Sequence, residues 1–138
     1  MFSKLKIKLA KEYHAKYVAK LFEAIDKKTN YRKALRLIRN RKVYILKDKK
    51  RIRAAFSYSI IGIIGIFSIM YIHKIAVTPE LQGKGIGTFL LSRIRKNGLK
   101  IGASIIILYS LEKAKRFYEK NKLNRFWRFF WWKIKKAD

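Results

Sequence analysis

Hydrophobic residues near the start of the chain change from a period of two to the spacing of a helix. Leu5, Ile7 and Leu9 alternate with lysines, a pattern that predicts a half-buried strand. Residues 11–28 are predicted to form an amphipathic helix, because their apolar positions follow helical spacing. The members of that apolar face are Tyr13, Tyr17, Leu21, Phe22 and Ile25. Asn30 is a suitable N-cap for a second helix, which carries Leu35 and Ile38.

A long uncharged run follows the next predicted strand. The second strand is predicted at residues 43–46, and residues 47–50 form a turn into the third. Residues 54–72 carry no charge, and a run of this length could cross a bilayer as a helix. Gly62 and Gly65 divide the run into two strand-length halves that are rich in β-branched residues. We therefore predict a β-hairpin buried on both faces, and no transmembrane span.

The second half of the chain alternates between strands and helices. A strand ends at Val77, and a glycine-rich turn leads into an amphipathic helix that begins at Thr88 and is ended by Gly98 and Gly102. Its inner face is predicted to consist of Phe89, Leu90, Ile94 and Leu99. A strand over residues 104–109 follows, and strand–helix–strand order predicts a parallel crossover. The remaining predicted elements are a helix over residues 111–121 and an aromatic-rich terminal strand over residues 124–133.

Composition limits the chemistry that the chain can carry. Its 138 residues are enough for one domain with a single core, so residues 1–138 are predicted to form one domain. There is no cysteine, and the two histidines are His14 and His73, so we expect neither a cysteine nucleophile nor a metal site. A net charge of +27 would attract nucleic acid, an acidic partner or an anionic membrane. A compositional bias toward lysine would produce the same charge without any function.

The glycine-rich turn is suited to binding a phosphate. Three glycines, Gly83, Gly85 and Gly87, expose backbone N–H groups, and the helix that follows adds its unpaired donors and the positive end of its dipole. The sequence of the turn, Gln82-Gly-Lys-Gly-Ile-Gly87, fits neither the G-x-x-x-x-G-K-[ST] pattern of the P-loop nor the G-x-G-x-x-G fingerprint of dinucleotide-binding folds. It instead resembles the acyl-CoA loop of the GNAT superfamily of N-acetyltransferases. A second resemblance lies downstream, where Ala114-x-x-Phe117-Tyr118-Glu119-Lys120 is similar to the helix that carries the acid tyrosine of that superfamily.

The resemblance implies a GNAT-like α/β fold, with a mixed central sheet flanked by helices, and acetyl-CoA as co-substrate. The coenzyme pyrophosphate would lie on the loop formed by Gln82, Gly83, Lys84, Gly85, Ile86, Gly87 and Thr88. The pantetheine arm would pair with the backbone of the preceding strand, at Ile75, Ala76 and Val77.

The resemblance also assigns catalytic candidates. Tyr118 corresponds to the general acid that protonates the departing thiolate, a reasonable role for a phenol. The family's glutamate base is absent, because Tyr71 occupies its place. Tyr71 and His73 should project to one face of a strand, and His73 is then the better base, since an imidazole titrates near neutral pH. Two other departures are Leu111 and the Lys122-Leu123 pair, which put in doubt the contacts at that end of the coenzyme.

The predicted activity is transfer of acetyl from acetyl-CoA to a primary amine, by direct attack in a ternary complex. The amine could belong to a protein N-terminus, a lysine or a small molecule. The alternative is a basic module with degenerate catalysis that binds nucleic acid or a membrane surface, since Arg and aromatic residues interleave in the tail. The aromatic tail also predicts a homodimer. The first residues are too charged for a signal peptide, so a cytoplasmic location is expected.

Overall fold

The structure is a computed structural model that describes residues 5–49, 51–63, 66–82, 85–109, 120, 123–126 and 129–133. The helices are α1 (Ala15–Glu23), which a 3₁₀ turn at Glu12–His14 precedes, α2 (Tyr31–Arg39) and α3 (Ile86–Ile101). The strands are β1 (Lys6–Leu9), β2 (Val43–Asp48), β3 (Arg51–Ile63), β4 (Phe67–Val77), β5 (Ile105–Tyr109), β6 (Asn124–Phe126) and β7 (Phe129–Lys133).

The strands form one mixed sheet in the order β1-β2-β3-β4-β5-β7-β6. Strand β4 pairs in parallel with β5, whereas β2 is antiparallel to both β1 and β3, and β7 is antiparallel to both β5 and β6. The parallel β4–β5 pair confirms the predicted crossover through α3. The mixed sheet with flanking helices confirms the predicted fold class.

The contacts divide the chain into two compact units. The first consists of Met1–Tyr58 and Lys74–Phe89, and the second of Ser59–His73 and Leu90–Asp138. The core of the first unit is built where α1 and α2 pack on the sheet, with Val18, Phe22 and Ile45 among its fully buried members. In the second unit Met70, Ile106 and Ile94 are completely buried. That residues 1–138 form a single domain stays a prediction.

The predicted apolar face of α1 is confirmed only in part, because Phe22 is buried and Leu21 packs against the core, whereas the tyrosines and Ile25 are exposed. Tyr13 is 69% exposed and Tyr17 is 63% exposed, although both were expected to point inward. The buried face instead consists of Ala15, Val18, Ala19 and Phe22. Small residues allow a helix to approach its neighbours closely, so two alanines and a valine mark the packed face better than the tyrosines do. The exposed tyrosine face lines two clefts.

The uncharged run forms a hairpin, as predicted, and not a helix. Five consecutive residues of β3, from Ala54 to Tyr58, are buried, so this part of the strand is covered on both faces. Burial does not extend to the turn, where Ile63 is 64% exposed and Ile66 is 80% exposed. Within the described residues no helix is both long and apolar enough to span a membrane.

Three further boundaries differ from the sequence prediction. Helix α3 begins at Ile86, inside the glycine-rich turn, and it continues through the buried Gly98 to end before Gly102, whose φ is +91°. Leu99, expected on the inner face, is 39% exposed.

The predicted single terminal strand is instead a pair of strands, β6 and β7, which bond to each other. The predicted helix over residues 111–121 lies outside the described residues apart from the helical Lys120.

Candidate active site

Strand β4 continues beyond the stretch that pairs with β5. The parallel pairing joins Ile69–Ile72 to Ile105–Leu108, whereas β4 runs on to Val77. The extension contains the three residues whose backbone was predicted to bind pantetheine. Ala76 is buried, and Ile75 and Val77 are half-buried. These side chains fix the strand in the protein, so their backbone groups would be the parts that meet a ligand.

The loop after β4 is held by hydrogen bonds at both of its ends. Gln82 Nε2 donates to the carbonyl oxygen of Val77 at 3.0 Å, which folds the start of the loop back onto the strand. At the other end, the carbonyl of Gly85 accepts from the N–H of Phe89 at 3.2 Å. Gly85 has a φ of +82°, a left-handed conformation that glycine adopts without a steric cost. Gly83 and Lys84 lie outside the described residues.

The first turn of α3 supplies the donors that a phosphate needs. The N–H groups of Ile86, Gly87 and Thr88 belong to the first turn of α3, where an N–H group has no acceptor four residues earlier within the helix itself. Ile86 is 3% exposed, so its side chain belongs to the core and only its backbone can serve the loop. The positive end of the helix dipole adds to these donors. A strand end, a left-handed glycine and a helix N-terminus therefore follow one another within twelve residues, from Ala76 to Gly87.

Tyr71 and His73 lie on one face of β4, as the period of two predicts. Their rings are 4.7 Å apart between centroids and meet edge to face at 66°. His73 is exposed, and its Nε2 lies 2.6 Å from the hydroxyl of Ser59 on β3. Sequence reasoning missed Ser59. The predicted hairpin indicated that residues of its two arms would be neighbours. With two possible turn glycines, however, the sequence did not determine which residue of one arm lies opposite His73. Tyr118 lies outside the described residues.

Lys74, which sequence reasoning also missed, ties β4 to the segment between α1 and α2. Its Nζ lies 2.8 Å from the hydroxyl of Thr29 and 3.2 Å from the carboxylate of Asp26, and 5.8 Å from the centre of the Phe22 ring. The N–H of Lys28 and then the Lys74 ammonium hold the pKa of Asp26 below its usual value. The sequence contained one indication of this contact, because Lys74 is a charged residue within a largely apolar predicted strand.

A cleft of about 430 Å³ lies against the end of β4, within the first unit. Tyr17 and Leu21 of α1, together with Ile25 just beyond its end, form one wall of this cleft. Ala76, Val77 and Gln82 form another. The tyrosine face of α1 therefore faces a space that adjoins the predicted pantetheine strand. Among the described residues there is no group of three or more side chains that could hold a metal ion.

Comparisons with known proteins agree with this geometry. The family model of the acetyltransferase (GNAT) domain matches residues 39–122, which is more than half of the chain. No curated protein matches the sequence. Among solved structures, Ard1 from Thermoplasma volcanium aligns with a TM-score of 0.80 at 12% identity, over 96% of this chain and 99% of that one. The yncA protein from Salmonella typhimurium, solved with acetyl-CoA, aligns with a TM-score of 0.73 at 15% identity, over 98% and 96%.

The match to the family model defines the class as an acetyltransferase, and the fold is of the α/β type. The chain belongs to the GNAT acetyltransferase family. This membership confirms the predicted superfamily, and with it acetyl transfer from acetyl-CoA as the general reaction. Because these structural neighbours are only 12% and 15% identical to the chain, they support the fold and nothing more.

Proposed function

We propose that this chain is an N-acetyltransferase that transfers acetyl from acetyl-CoA to a primary amine, by direct attack in a ternary complex. The observation that carries the proposal is the continuity of β4, the Gly85 turn and the first turn of α3, which brings a strand extension next to a phosphate-binding helix end. In this proposal the coenzyme pyrophosphate lies on the amides of the loop, and the pantetheine arm lies along Ile75, Ala76 and Val77.

The reaction needs one group to take a proton and another to give one. The amine nitrogen attacks the thioester carbonyl carbon, and the C–S bond breaks as the new C–N bond is completed. His73 takes the proton of the attacking amine, with Ser59 as its hydrogen-bonded neighbour at 2.6 Å. Tyr118 gives a proton to the departing thiolate and regains one from solvent. The chain contains no cysteine, so a cysteinyl acyl-enzyme is not part of this scheme.

The acceptor amine is best sought in an acidic molecule. A chain of charge +27 repels cationic acceptors at long range and attracts anionic ones. The 430 Å³ cleft offers an apolar wall for part of that acceptor, and Lys74 fixes the nearby Asp26–Thr29 segment against β4. We therefore expect a protein N-terminus followed by acidic residues to be a better acceptor than a polyamine.

Coenzyme A release measured with a thiol reagent tests the proposal directly. The enzyme has no thiol of its own, so all signal above that of the reagents comes from released coenzyme. We expect release that depends on an added amine peptide, with the acetylated peptide confirmed by mass spectrometry. Double-reciprocal plots should intersect, as direct transfer requires. A protein that binds acetyl-CoA but acetylates neither acidic N-terminal peptides, lysine peptides nor small amines would refute the assignment.

The same assay tests the role of His73. His73→Ala should lower kcat/KM and change the rising limb of its pH profile, since that limb reports an essential base of the free enzyme. Ser59→Ala should have a smaller effect in the same direction. Ser92→Ala, an exposed serine on α3, is the matched control and should leave the profile unchanged. A His73→Ala profile that matches the wild-type profile would show that His73 is not the base.

A further inference from the structure

A second cleft, of about 680 Å³, lies within the first unit and is strongly basic. The residues from the exposed face of α1 and the turn before it are Tyr13, His14, Tyr17 and Lys20, and the others are Lys47, Arg51, Ile52, Arg53, Thr78 and Glu80. Four cations therefore face one carboxylate. Arg53 is engaged, since its guanidinium lies 3.1 Å from Glu80 and 3.8 Å from Asp48. In the described part of the chain no carboxylate lies within 4.0 Å of Lys20, Lys47 or Arg51.

His14, one of the residues that line this cleft, contains a buried hydrogen-bond donor. The residue is 6% exposed, and its Nδ1 accepts a hydrogen bond from the backbone N–H of Lys11 at 3.0 Å. Burial, followed by the charges of Lys47, Lys11 and Lys8, lowers the pKa of His14 below its usual value, so the ring is neutral at physiological pH. A neutral ring whose Nδ1 accepts carries its proton on Nε2. Nε2 is buried and has no hydrogen-bond partner among the described residues.

Thr78 adds a second unsatisfied polar atom to the same cleft. Its Oγ1 is buried and also lacks a partner within the described part of the chain, although its backbone N–H is bonded to the carbonyl of Arg53 at 2.9 Å. Buried donors without partners are costly in a folded protein. Two such atoms belong to residues that line one basic cleft, and a ligand with acceptor oxygens would satisfy them. Lys20, Lys47 and Arg51, which have no ion pair among the described residues, favour an anion as this ligand.

A phosphate group fits these requirements better than a carboxylate. A phosphate monoester is dianionic and balances more of the local positive charge than a carboxylate does, and the oxygens of a monoester or a diester point in more directions, so that neutral donors and cations can be bonded at once. Tyr13 and Tyr17 line the same cleft with exposed rings, and the Tyr13 ring centre is 4.1 Å from that of His14. Exposed aromatic rings beside a phosphate site are suited to stacking a nucleobase.

We propose that this cleft binds the phosphate of a nucleotide, free or within a single-stranded nucleic acid, through His14 Nε2, Thr78 Oγ1 and the cations Lys20, Lys47 and Arg51. The base would stack on Tyr13 or Tyr17. This cleft adjoins the 430 Å³ cleft, and both are lined by Tyr17, Lys20, Ile52, Thr78 and Glu80. None of the described residues of the coenzyme loop, Gln82 and residues 85–88, lines it. Its test requires no acetyl transfer.

Titration calorimetry with uridine monophosphate, uridine and a short oligouridylate tests the site, since uridine avoids the adenine nucleotide of coenzyme A. We expect the monophosphate or the oligonucleotide to bind and uridine to bind far more weakly. Thr78→Val should weaken phosphate binding about tenfold, or about 1.4 kcal/mol. His14→Phe should also weaken phosphate binding. If the protein does not fold with this change at a buried position, Thr78→Val still tests the site. Binding by the oligonucleotide alone assigns the phosphate to nucleic acid, and comparable binding by the monophosphate assigns it to free nucleotides.

The charges require a control, because a protein of +27 binds any polyanion to some degree. Lys47→Gln with Arg51→Gln removes two charges from the cleft, and Lys96→Gln with Lys100→Gln removes two from the exposed face of α3. Only the first pair should reduce the salt dependence of oligonucleotide binding, by about 1.4 in the slope of log K against log salt. Equal effects of both pairs, or no effect of Thr78→Val and His14→Phe in folded protein, would overturn the proposal.

Discussion

Substitution of Gly85 tests the coenzyme loop with the addition of a single methyl group. Gly85 has a φ of +82° and its carbonyl accepts a hydrogen bond from the N–H of Phe89 in the first turn of α3, so the residue both turns the chain and bonds to the start of the helix. Gly85→Ala forces an L-side chain into the left-handed region, at a cost of about 1 to 2 kcal/mol. For 138 residues the entropy of unfolding is about 0.29 kcal/mol per kelvin. The Tm of the free protein should therefore fall by about 3 to 7 °C.

The decisive quantity is the additional stability that acetyl-CoA provides. At one hundred times its dissociation constant, the coenzyme should stabilise the wild-type protein by about 2.7 kcal/mol. This corresponds to a rise in Tm of about 9 °C. A strained loop presents its N–H groups in a less favourable geometry, and we expect a loss of affinity of about tenfold or more. At the same coenzyme concentration the rise in Tm would then be about 5 °C or less.

Gly62→Ala is the matched control. Gly62 has a φ of +103°, and an added Cβ would lie 2.5 Å from the carbonyl oxygen of Phe67, so this change should lower the Tm of the free protein at least as much. It lies in the hairpin, away from the loop in sequence, and should keep the full rise of about 9 °C with acetyl-CoA. Differential scanning fluorimetry with and without coenzyme measures all four values. A full rise in Gly85→Ala would refute the role of the loop.

Two predictions concern segments that the structure describes only in part or not at all. Tyr118→Phe should lower kcat far more than it changes coenzyme affinity, because a proton donor to the thiolate acts in the transition state; a kcat within twofold of wild type would contradict this. The tail should mediate a homodimer, because β6 is at an end of the strand order and the segment from residue 126 to 132 contains six aromatic residues. Sedimentation at low micromolar concentration should show a dimer that Trp127→Lys with Trp131→Lys converts to a monomer, and a monomeric wild type would contradict the prediction.

The parts of the fold that were predictable are those determined by local geometry. Asn30 was identified as an N-cap, and its side-chain oxygen accepts from the N–H of Lys33 at 2.9 Å. Gly62 was placed at a hairpin turn and has a positive φ. A tight turn before α3 was predicted from the glycines, and Gly85 has a φ of +82°. A cap or a turn needs no knowledge of which distant segment packs against it.

The face of α1 could not be predicted in the same way. An aromatic stripe at helical spacing looks identical whether it faces a core or a ligand cleft, since both environments favour large amphipathic rings. The distinction depends on what lies opposite. Ala15 and Ala19 face the core, where close packing leaves room for little more than a methyl group, and Tyr13 and Tyr17 line the clefts.

Strand β4 shows how one apolar run can contain several functions. Side chains alternate between the two faces of a strand, and on one face Met70, Ile72 and Ala76 are buried. Lys74 falls on that same face, and its ammonium is accommodated because Asp26 and Thr29 supply oxygens at 3.2 and 2.8 Å. His73 points to the opposite side, beside Ser59. The average hydrophobicity of the run does not distinguish His73 and Lys74 from their apolar neighbours. Their contacts could not be predicted, because the partners come from other segments. The strand thus anchors the Asp26–Thr29 segment through one face, while the other face carries His73, whose role as a base stays a prediction.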